Sequence, residues 1–560
     1  MNRRSFLASV AAAAAWPGRL TAQTRPLGFR FVDVTASAGI TFKHNSGAYG
    51  GKLLPETLGS GCAFIDYDAD GWPDILFVNG MDWPGHKRTR STLQLYRNNR
   101  NGTFTDVTRA AGLDVELYGM GVAVADWNND GFPDLFVTCV GQNRLFRNTG
   151  KGSFVDVTRS SGLDGRAAFS TSAMWVDVDR DGLLDLFVCN YVRWSAEHDV
   201  FCSLDGKRKS YCTPEAYRGE TCWLFRNNGD GTFKDVTATS GIFDTSSKSL
   251  GVAMLDVDQD GWPDLFVAND TQPNKLYRNQ GNGTFKELAV GAGLALSRDG
   301  RARAGMGVDA ADLDGSGRPA IAVTNFDNEM IGLYRPLGRG LYEDAAIAAR
   351  VGPASRSTLG FGCLFADMDL DGATDLVVVN GHIDETVRDI RGNVGYAQAP
   401  HLFINQKDGT FRDAAADAGA DFLKPAVGRG LACGDFDHDG DVDLLVTTNN
   451  GAPKLFRNDQ TSGNRYLRLQ LTGTKSNRDA IGATVRIFHA GVSQSRMVRS
   501  GSSYLSQSEL PLTFGVGRIE VVDTVVVAWP SGRTEEFPRI ATGKAYQCTE
   551  GKGMFASIPG

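Results

Sequence analysis

Asp256-Val257-Asp258-Gln259-Asp260-Gly261-Trp262-Pro263-Asp264 sits between two short apolar runs, one ending at Leu255 and one starting at Leu265. The spacing Asp-x-Asp-x-Asp-Gly-x-x-Asp recurs along the chain. It appears at Asp66, Asp68, Asp70 and Asp74, then at Asp126, Asn128, Asp130 and Asp134, and again at Asp177, Asp179, Asp181 and Asp185. After the copy at Asp256, Asp258, Asp260 and Asp264 comes a worn one, Asp312-x-Asp314-x-Ser316-Gly317, with Ala320 in the ninth place. Two more copies, at Asp367, Asp369, Asp371 and Asp375 and at Asp435, Asp437, Asp439 and Asp443, bring the total to seven.

The surroundings of each loop repeat as well. An apolar run such as Val122 to Ala125 precedes it, and another such as Leu135 to Val137 follows. A Leu-Phe-Arg-Asn segment comes next, as at Leu145 to Asn148, and a Gly-rich turn leads to a Gly-Thr-Phe-x-Asp-Val-Thr segment, as at Gly231 to Thr237. Short β-rich runs bounded by Gly, Asn and Asp read as strands. Each unit is four antiparallel strands, and radial repetition of such sheets makes a β-propeller.

The phase of the repeat predicts how the ring closes. Phe29 to Thr35 is an orphan fourth segment before any Asp loop, and the seventh unit stops at Leu455-Phe456-Arg457-Asn458 without one. Placing the first beside the last completes seven blades and removes two open sheet edges. The expected fold is all-β: a seven-bladed propeller over 29–458, closed by an N-terminal strand, with a small β-domain over 465–555.

The loops read as metal sites. Positions one, three, five and nine offer side-chain oxygen, position seven a carbonyl, and Gly at position six permits a sharp turn. Oxygen-only ligation of this kind suits the hard cation calcium. Proline at position eight in three loops (Pro73, Pro133, Pro263) biases the residue before it toward extended geometry. The loop is shorter than an EF-hand and joins strands, not helices. The alternative is an acidic hairpin without metal, but the carboxylates repel one another and no Lys or Arg is interleaved regularly enough to offset them. About six Ca²⁺ are expected, one per intact loop.

Composition agrees. Of 560 residues 42% are hydrophobic and 22% charged, the balance of a soluble globular chain. The 65 acidic residues divide into 51 Asp and 14 Glu, favouring turns and cation sites over helices. A formal charge of −7 gives no basic footprint for nucleic acid.

Residues 1–23 read as an export signal of the twin-arginine type: Arg3-Arg4-Ser5-Phe6-Leu7, an apolar run to Trp16, and a small-residue end near Ala22. That run is too short to span a bilayer, and no later one is long enough. A periplasmic or extracellular location is expected. Of nine cysteines, Cys62, Cys363 and Cys433 fall in apolar strands as core residues. Cys202, Cys212 and Cys222 share an insertion in which a Cys202–Cys212 bridge is possible.

Beyond the linker Asp459 to Asn464 the Asp loops stop, and strand-like runs follow at 466–471, 483–488, 496–499, 524–529 and 546–549. Here Asn477-Arg478-Asp479-Ala480-Ile481-Gly482-Ala483, Ser503-Tyr504-Leu505-Ser506-Gln507 and Trp529-Pro530-Ser531-Gly532 together resemble the ASPIC/UnbV domain. The upstream loops resemble FG-GAP or VCBS repeats, and the combination is similar to the cartilage acidic protein family and its bacterial homologues. The resemblance implies exported, calcium-binding proteins of interaction type, with one branch associated with enediyne biosynthesis clusters.

If the Asp loops join first and second strands, the long insertions gather on the opposite face: Thr41 to Ser60, Met81 to Thr92, Asn190 to Cys222 and Gly381 to Pro400. Asn79, Asn190, Asn269, Asn325 and Asn380 recur near the axis there, either as a polar ligand ring or as satisfiers of turn backbone. His44, Glu56, His382 and His401 are either acid–base or metal residues, or surface turn residues. Tyr191, Trp194, Tyr211 and Tyr217 either stack on a ligand or fill the insertion's own core. The expected function is an exported protein- or glycan-binding module, and the alternative is an exported enzyme or accessory factor of secondary metabolism. No catalytic motif supports the alternative.

Overall fold

The computed structural model describes residues 27–203, 206–553 and 555–557, so the expected export signal lies outside the described residues. Blade four is typical. Ser249–Leu255, Asp264–Asn269, Lys275–Asn279 and Phe285–Glu287 pair in that order as one antiparallel sheet. Its first two strands are buried at every position, which explains why they read as unbroken apolar runs instead of alternating. The third strand buries Leu276 and Tyr277, and the short fourth buries only Phe285. Each blade thus grades from a dry inner strand to a wet outer one.

Seven such blades are present among the described residues. Their first strands neighbour one another around a closed ring, from Cys62–Ile65 through Gly119–Ala125 to Gly428–Gly434 and back. In the seventh blade the fourth strand is Phe29–Asp33, antiparallel to Lys454–Gln460 with Phe31 opposite Asn458. Phe31 closes against Phe422 and Phe456 in a buried aromatic cluster. Each ring buried in this way contributes about 1.5–3 kcal/mol, which sets the closure against the entropy of joining distant chain segments.

The C-terminal region is two four-stranded sheets. One orders as Leu512–Gly515, Tyr466–Thr472, Lys544–Thr549, Phe555–Ser557, and the other as Val492–Met497, Thr484–His489, Val521–Ala528, Thr534–Ala541. Four details depart from the sequence reading, two of them the unexpected strands Leu512–Gly515 and Phe555–Ser557. The strand expected at 496–499 begins earlier, because Ala490 and Gly491 form a hairpin turn with positive φ (49° and 79°). Thr534–Ala541 was missed because it is an edge strand, polar and largely exposed, with Pro538 inside it.

These sheets lie on the Asp-loop side of the ring. Tyr466 packs on Gly440, the Lys475 carbonyl on Gly182, and Arg486 donates to the Gly315 carbonyl. From there Ser500 to Gln507 runs into the axis. Its backbone bonds the first strands of blades one, two and five through Phe64, Val122 and Val308, and Leu505 N–H donates to Ser172 of blade three. Tyr504 reaches through to donate to the Leu58 carbonyl at 2.9 Å, near the long-loop side.

Candidate functional site

The Asp loops owe their shape to their own carboxylates. In loop one Asp66 accepts the N–H groups of Asp70 (2.9 Å) and Gly71 (3.0 Å), and Asp70 accepts that of Trp72 (2.9 Å). Loops two, three, four and six repeat the pattern from Asp126, Asp177, Asp256 and Asp367. Gly at position six takes φ between +85° and +97° in the six intact loops, a conformation that a side chain would strain. The ninth-place carboxylates have a different task. Asp74, for example, accepts Tyr67 N–H at 3.1 Å and Asn98 N–H at 2.7 Å, tying the loop to the third strand.

Five loops bring three carboxylate oxygens within 4.8 Å of one another, able to hold a metal ion. They are Asp66/Asp68/Asp70, Asp177/Asp179/Asp185, Asp256/Asp258/Asp260, Asp367/Asp369/Asp371 and Asp435/Asp437/Asp443. Loop two has Asn128 in the third place, whose amide donates to Asp130 at 3.0 Å. The worn loop keeps the turn, with Asp312 accepting Gly317 N–H at 2.8 Å, but has no ninth carboxylate.

An oxygen of the third-place residue (Asp68, Asp179, Asp258, Asp437) is shut from solvent without a hydrogen-bond donor, as is one of Asp435. A buried carboxylate oxygen without a donor is costly, and a cation is one partner that would satisfy it. The titration behaviour agrees. Burial, with neighbouring carboxylates adding to it, pushes Asp66 up to about 6, Asp177 and Asp264 to about 7, and Asp74 and Asp367 to about 8.

Two features escaped the sequence reading. The arginine of the Leu-Phe-Arg-Asn segment does supply counter-charge: Arg226 pairs with Asp179, and Arg278 with Asp258 at 2.5 Å, while Arg100 reaches Asp70 and Lys407 reaches Asp371. The residues are far apart in sequence, so interleaving within the loops could not reveal them. Asp441, at position seven of the last loop, adds a buried carboxylate with an unpartnered oxygen, pushed up to about 10 by burial. Its signal was visible as an extra Asp after Gly440.

On the opposite face the candidate histidines serve the scaffold. His44 Nδ1 accepts Asn450 N–H at 3.0 Å, and burial beside Arg429 holds the ring down at about 3, hence neutral. His382 Nδ1 accepts Asp384 N–H at 3.0 Å. His401 bridges Asp413 (2.6 Å) and Thr358 (3.1 Å). Glu56 accepts from Trp83 and Tyr211, both at 3.1 Å, joining the insertions of blades one and three.

The aromatic and amide questions also resolve to structure. Tyr191 donates to Asp270 of blade four, while Trp194 and Tyr217 both donate to Asp199 inside the insertion. Cys202 and Cys212 are bridged there, and Cys222 is a buried free thiol. All five axial Asn amides donate to loop carbonyls, Asn79 to Lys43, Asn190 to Thr221, Asn269 to Pro273, Asn325 to Met330 and Asn380 to Ala399, and Asn79 also accepts Asn45 N–H. No helix among the described residues is long and apolar enough to cross a membrane.

Comparison with known proteins follows the same division of the chain. The FG-GAP-like repeat family matches residues 66–137, 126–188, 199–267, 256–323 and 380–446, more than half of the chain. The ASPIC and UnbV family matches residues 473–554. Cartilage acidic protein 1 of Mus musculus is 27% identical over 370 residues, and that of Homo sapiens 26% over 370, each match covering 64% of this chain. The matches cover 51% and 50% of those proteins, so the chain spans about half the length of these curated relatives. Among solved structures, an Agrocybe aegerita lectin that recognises non-reducing terminal N-acetylglucosamine is 16% identical, with a TM-score of 0.40 over 82% of this chain and 100% of that one.

Proposed function

Because the chain belongs to the FG-GAP-repeat proteins that carry an ASPIC/UnbV domain, we propose that it is an exported, calcium-binding interaction module, recognising protein or glycan through its long-loop face. The observation that carries the calcium part is the set of donorless, buried third-place oxygens at Asp68, Asp179, Asp258 and Asp437. Six Ca²⁺ would sit in the intact loops, held by positions one, three, five and nine, with Asn128 replacing one carboxylate in loop two. Asp441 would add a ligand to the last.

The ions serve structure in this reading. Loops two and seven face the C-terminal sheets, where Asp126 lies 3.8 Å from Arg478 and Asp435 3.6 Å from Arg468. By offsetting the mutual repulsion of each loop's own carboxylates, calcium would hold these loops in the shape the C-terminal sheets pack against. With the Asp-loop side covered and the axis filled by Ser500 to Gln507, the long-loop face is the one left for a partner. Its histidines and Glu56 are committed to holding loops together, which suits a shaped binding surface.

The test is retention of envelope proteins and polysaccharides on calcium-loaded protein, eluted by chelator and repeated with long-loop variants. Specific retention lost on changing surface residues of 84–91 or 383–395 supports the reading. No retention by folded, calcium-loaded protein overturns it.

A further inference from the structure

Loop two departs from the other intact loops in two ways. Its third place holds Asn128, so it carries three carboxylates where they carry four. Its ninth-place carboxylate is also left open. In the other five intact loops Oδ2 of the ninth-place Asp accepts the N–H of the second residue, Tyr67, Val178, Val257, Met368 or Phe436, at 2.9 to 3.1 Å. Asp134 is fully buried, yet among the described residues nothing donates to its Oδ2, which is shut from solvent.

A carboxylate from the C-terminal sheets reaches this loop. Asp479 accepts the Asp126 N–H at 2.7 Å, although 353 positions separate the two residues. A braced turn presents it. The buried Asn477 side chain donates to the Ile481 carbonyl and accepts the Ile481 N–H, both at 2.8 Å. Beside it Arg478 donates its N–H to Asn129 Oδ1 at 2.8 Å and holds its guanidinium 3.8 Å from Asp126 Oδ2. Among the described residues no other intact loop has its first N–H held by a carboxylate of these sheets.

Without a cation this approach sets like charges together. Burial raises the Asp126 and Asp134 carboxyls, and the Asp479 charge raises both further. On the calcium reading above, on which this step rests, three loop carboxylates, one Ca²⁺ and the Arg478 guanidinium balance. Asp479 then adjoins a neutral centre instead of an anionic one. We propose that Asp479 is the fourth carboxylate of the loop-two calcium site, supplied by the C-terminal sheets in place of the one that Asn128 lacks. It acts through its charge from beside the loop, and Asp134 Oδ2 is the loop oxygen left for the ion. Calcium binding at loop two and docking of residues 477–482 are therefore coupled, each strengthening the other by the same factor.

Hydrogen exchange of the full-length protein across a calcium titration, read by peptide mass, gives each loop its own midpoint. Protection of 126–134 and of 477–482 should rise together. Asp479→Asn keeps an oxygen for the Asp126 N–H, yet should move the loop-two midpoint to about tenfold higher calcium, with that of 256–264 unchanged. Adding Asn128→Asp should recover most of the shift, which the loss of a merely structural contact would not allow. If Asp479→Asn does not fold, Asn128→Asp alone carries the test and should lower the loop-two midpoint several-fold. An unmoved loop-two midpoint in either single variant, or a shift that Asn128→Asp does not recover, would overturn the inference; with 256–264 still responding to calcium, the calcium reading would stand. A folded protein in which no Asp loop responds to calcium would overturn that reading, and the inference with it.

Discussion

Asn279 donates its backbone N–H to Asp264 Oδ1 at 2.8 Å, while its side-chain amide donates to the Val178 carbonyl of the preceding blade, also at 2.8 Å. One residue therefore locks its own Asp loop and stitches it to the blade before. Asn98, Asn148, Asn227 and Asn458 do the same, reaching Phe436, Tyr67, Trp127 and Met368. In blade five both partners are replaced together, by Ala320 and Pro336. Among the described residues the Asn405 side chain of blade six donates to Thr374 in its own blade and to no carbonyl of blade five. The worn repeat is a seam in an otherwise stitched ring.

Asn279→Ala should cost about 1–3 kcal/mol, because it strands the buried Val178 carbonyl and the half-buried one of Pro263. Urea unfolding measures this. The same seam argument predicts faster amide exchange in Gly332–Gly338 than in Lys275–Asn279, and equal protection would contradict it.

The axial segment gives a steric prediction. A Cβ on Gly61 would stand 2.0 Å from the Leu505 carbonyl oxygen, so Gly61→Ala must displace the segment. A loss of about 1–3 kcal/mol is expected, as for other overpacked sites. Gly392→Ala, where a Cβ meets nothing within 4 Å, should be neutral. Equal unfolding midpoints for the two variants would show that Ser500 to Gln507 does not fill the axis.

The pH dependence follows from the loop carboxylates. Their folded values are raised, to about 6 for Asp66, 7 for Asp177 and Asp264, and 8 for Asp74 and Asp367. A raised carboxylate adds stability at pH below its unfolded value, and that stability is lost as pH rises through the folded one. In chelator, Tm should therefore fall between pH 5 and 8. Calcium binds the ionised form, so its stabilising increment should grow over the same range. A metal-free Tm that rises across this window would contradict the assignment.

The Cys202–Cys212 bridge closes a short loop in the blade-three insertion. Replacing both by serine should loosen that insertion by about 2–3 kcal/mol and expose it to proteolysis, with little change in the melting of the ring. Limited proteolysis followed by mass measurement reads this, and an unchanged cleavage pattern would count against it.

The blades and their closure were legible because each unit carries its own turn chemistry: Asp256 to Asp264 specifies a loop whatever lies around it, and the orphan Phe29 to Thr35 has one place to go. What escaped depends on contacts between distant residues. Arg226 and Arg278 reach the loops only after strand pairing brings them there. The Ser503 to Gln507 motif was visible as a family mark, yet nothing local says that Tyr504 ends beneath Leu58. The histidines were the weakest part of the reading. His44 and Asn450 are 406 positions apart, so the bond that fixes the ring as an acceptor was beyond any spacing argument.

The most direct test of the central claim is calorimetric titration of metal-free protein with calcium. About six sites are expected, one for each intact loop, with affinities on the order of 10⁻⁴ to 10⁻³ M or tighter, and the Asp312 loop contributing none. A folded protein that takes up no calcium would contradict the account.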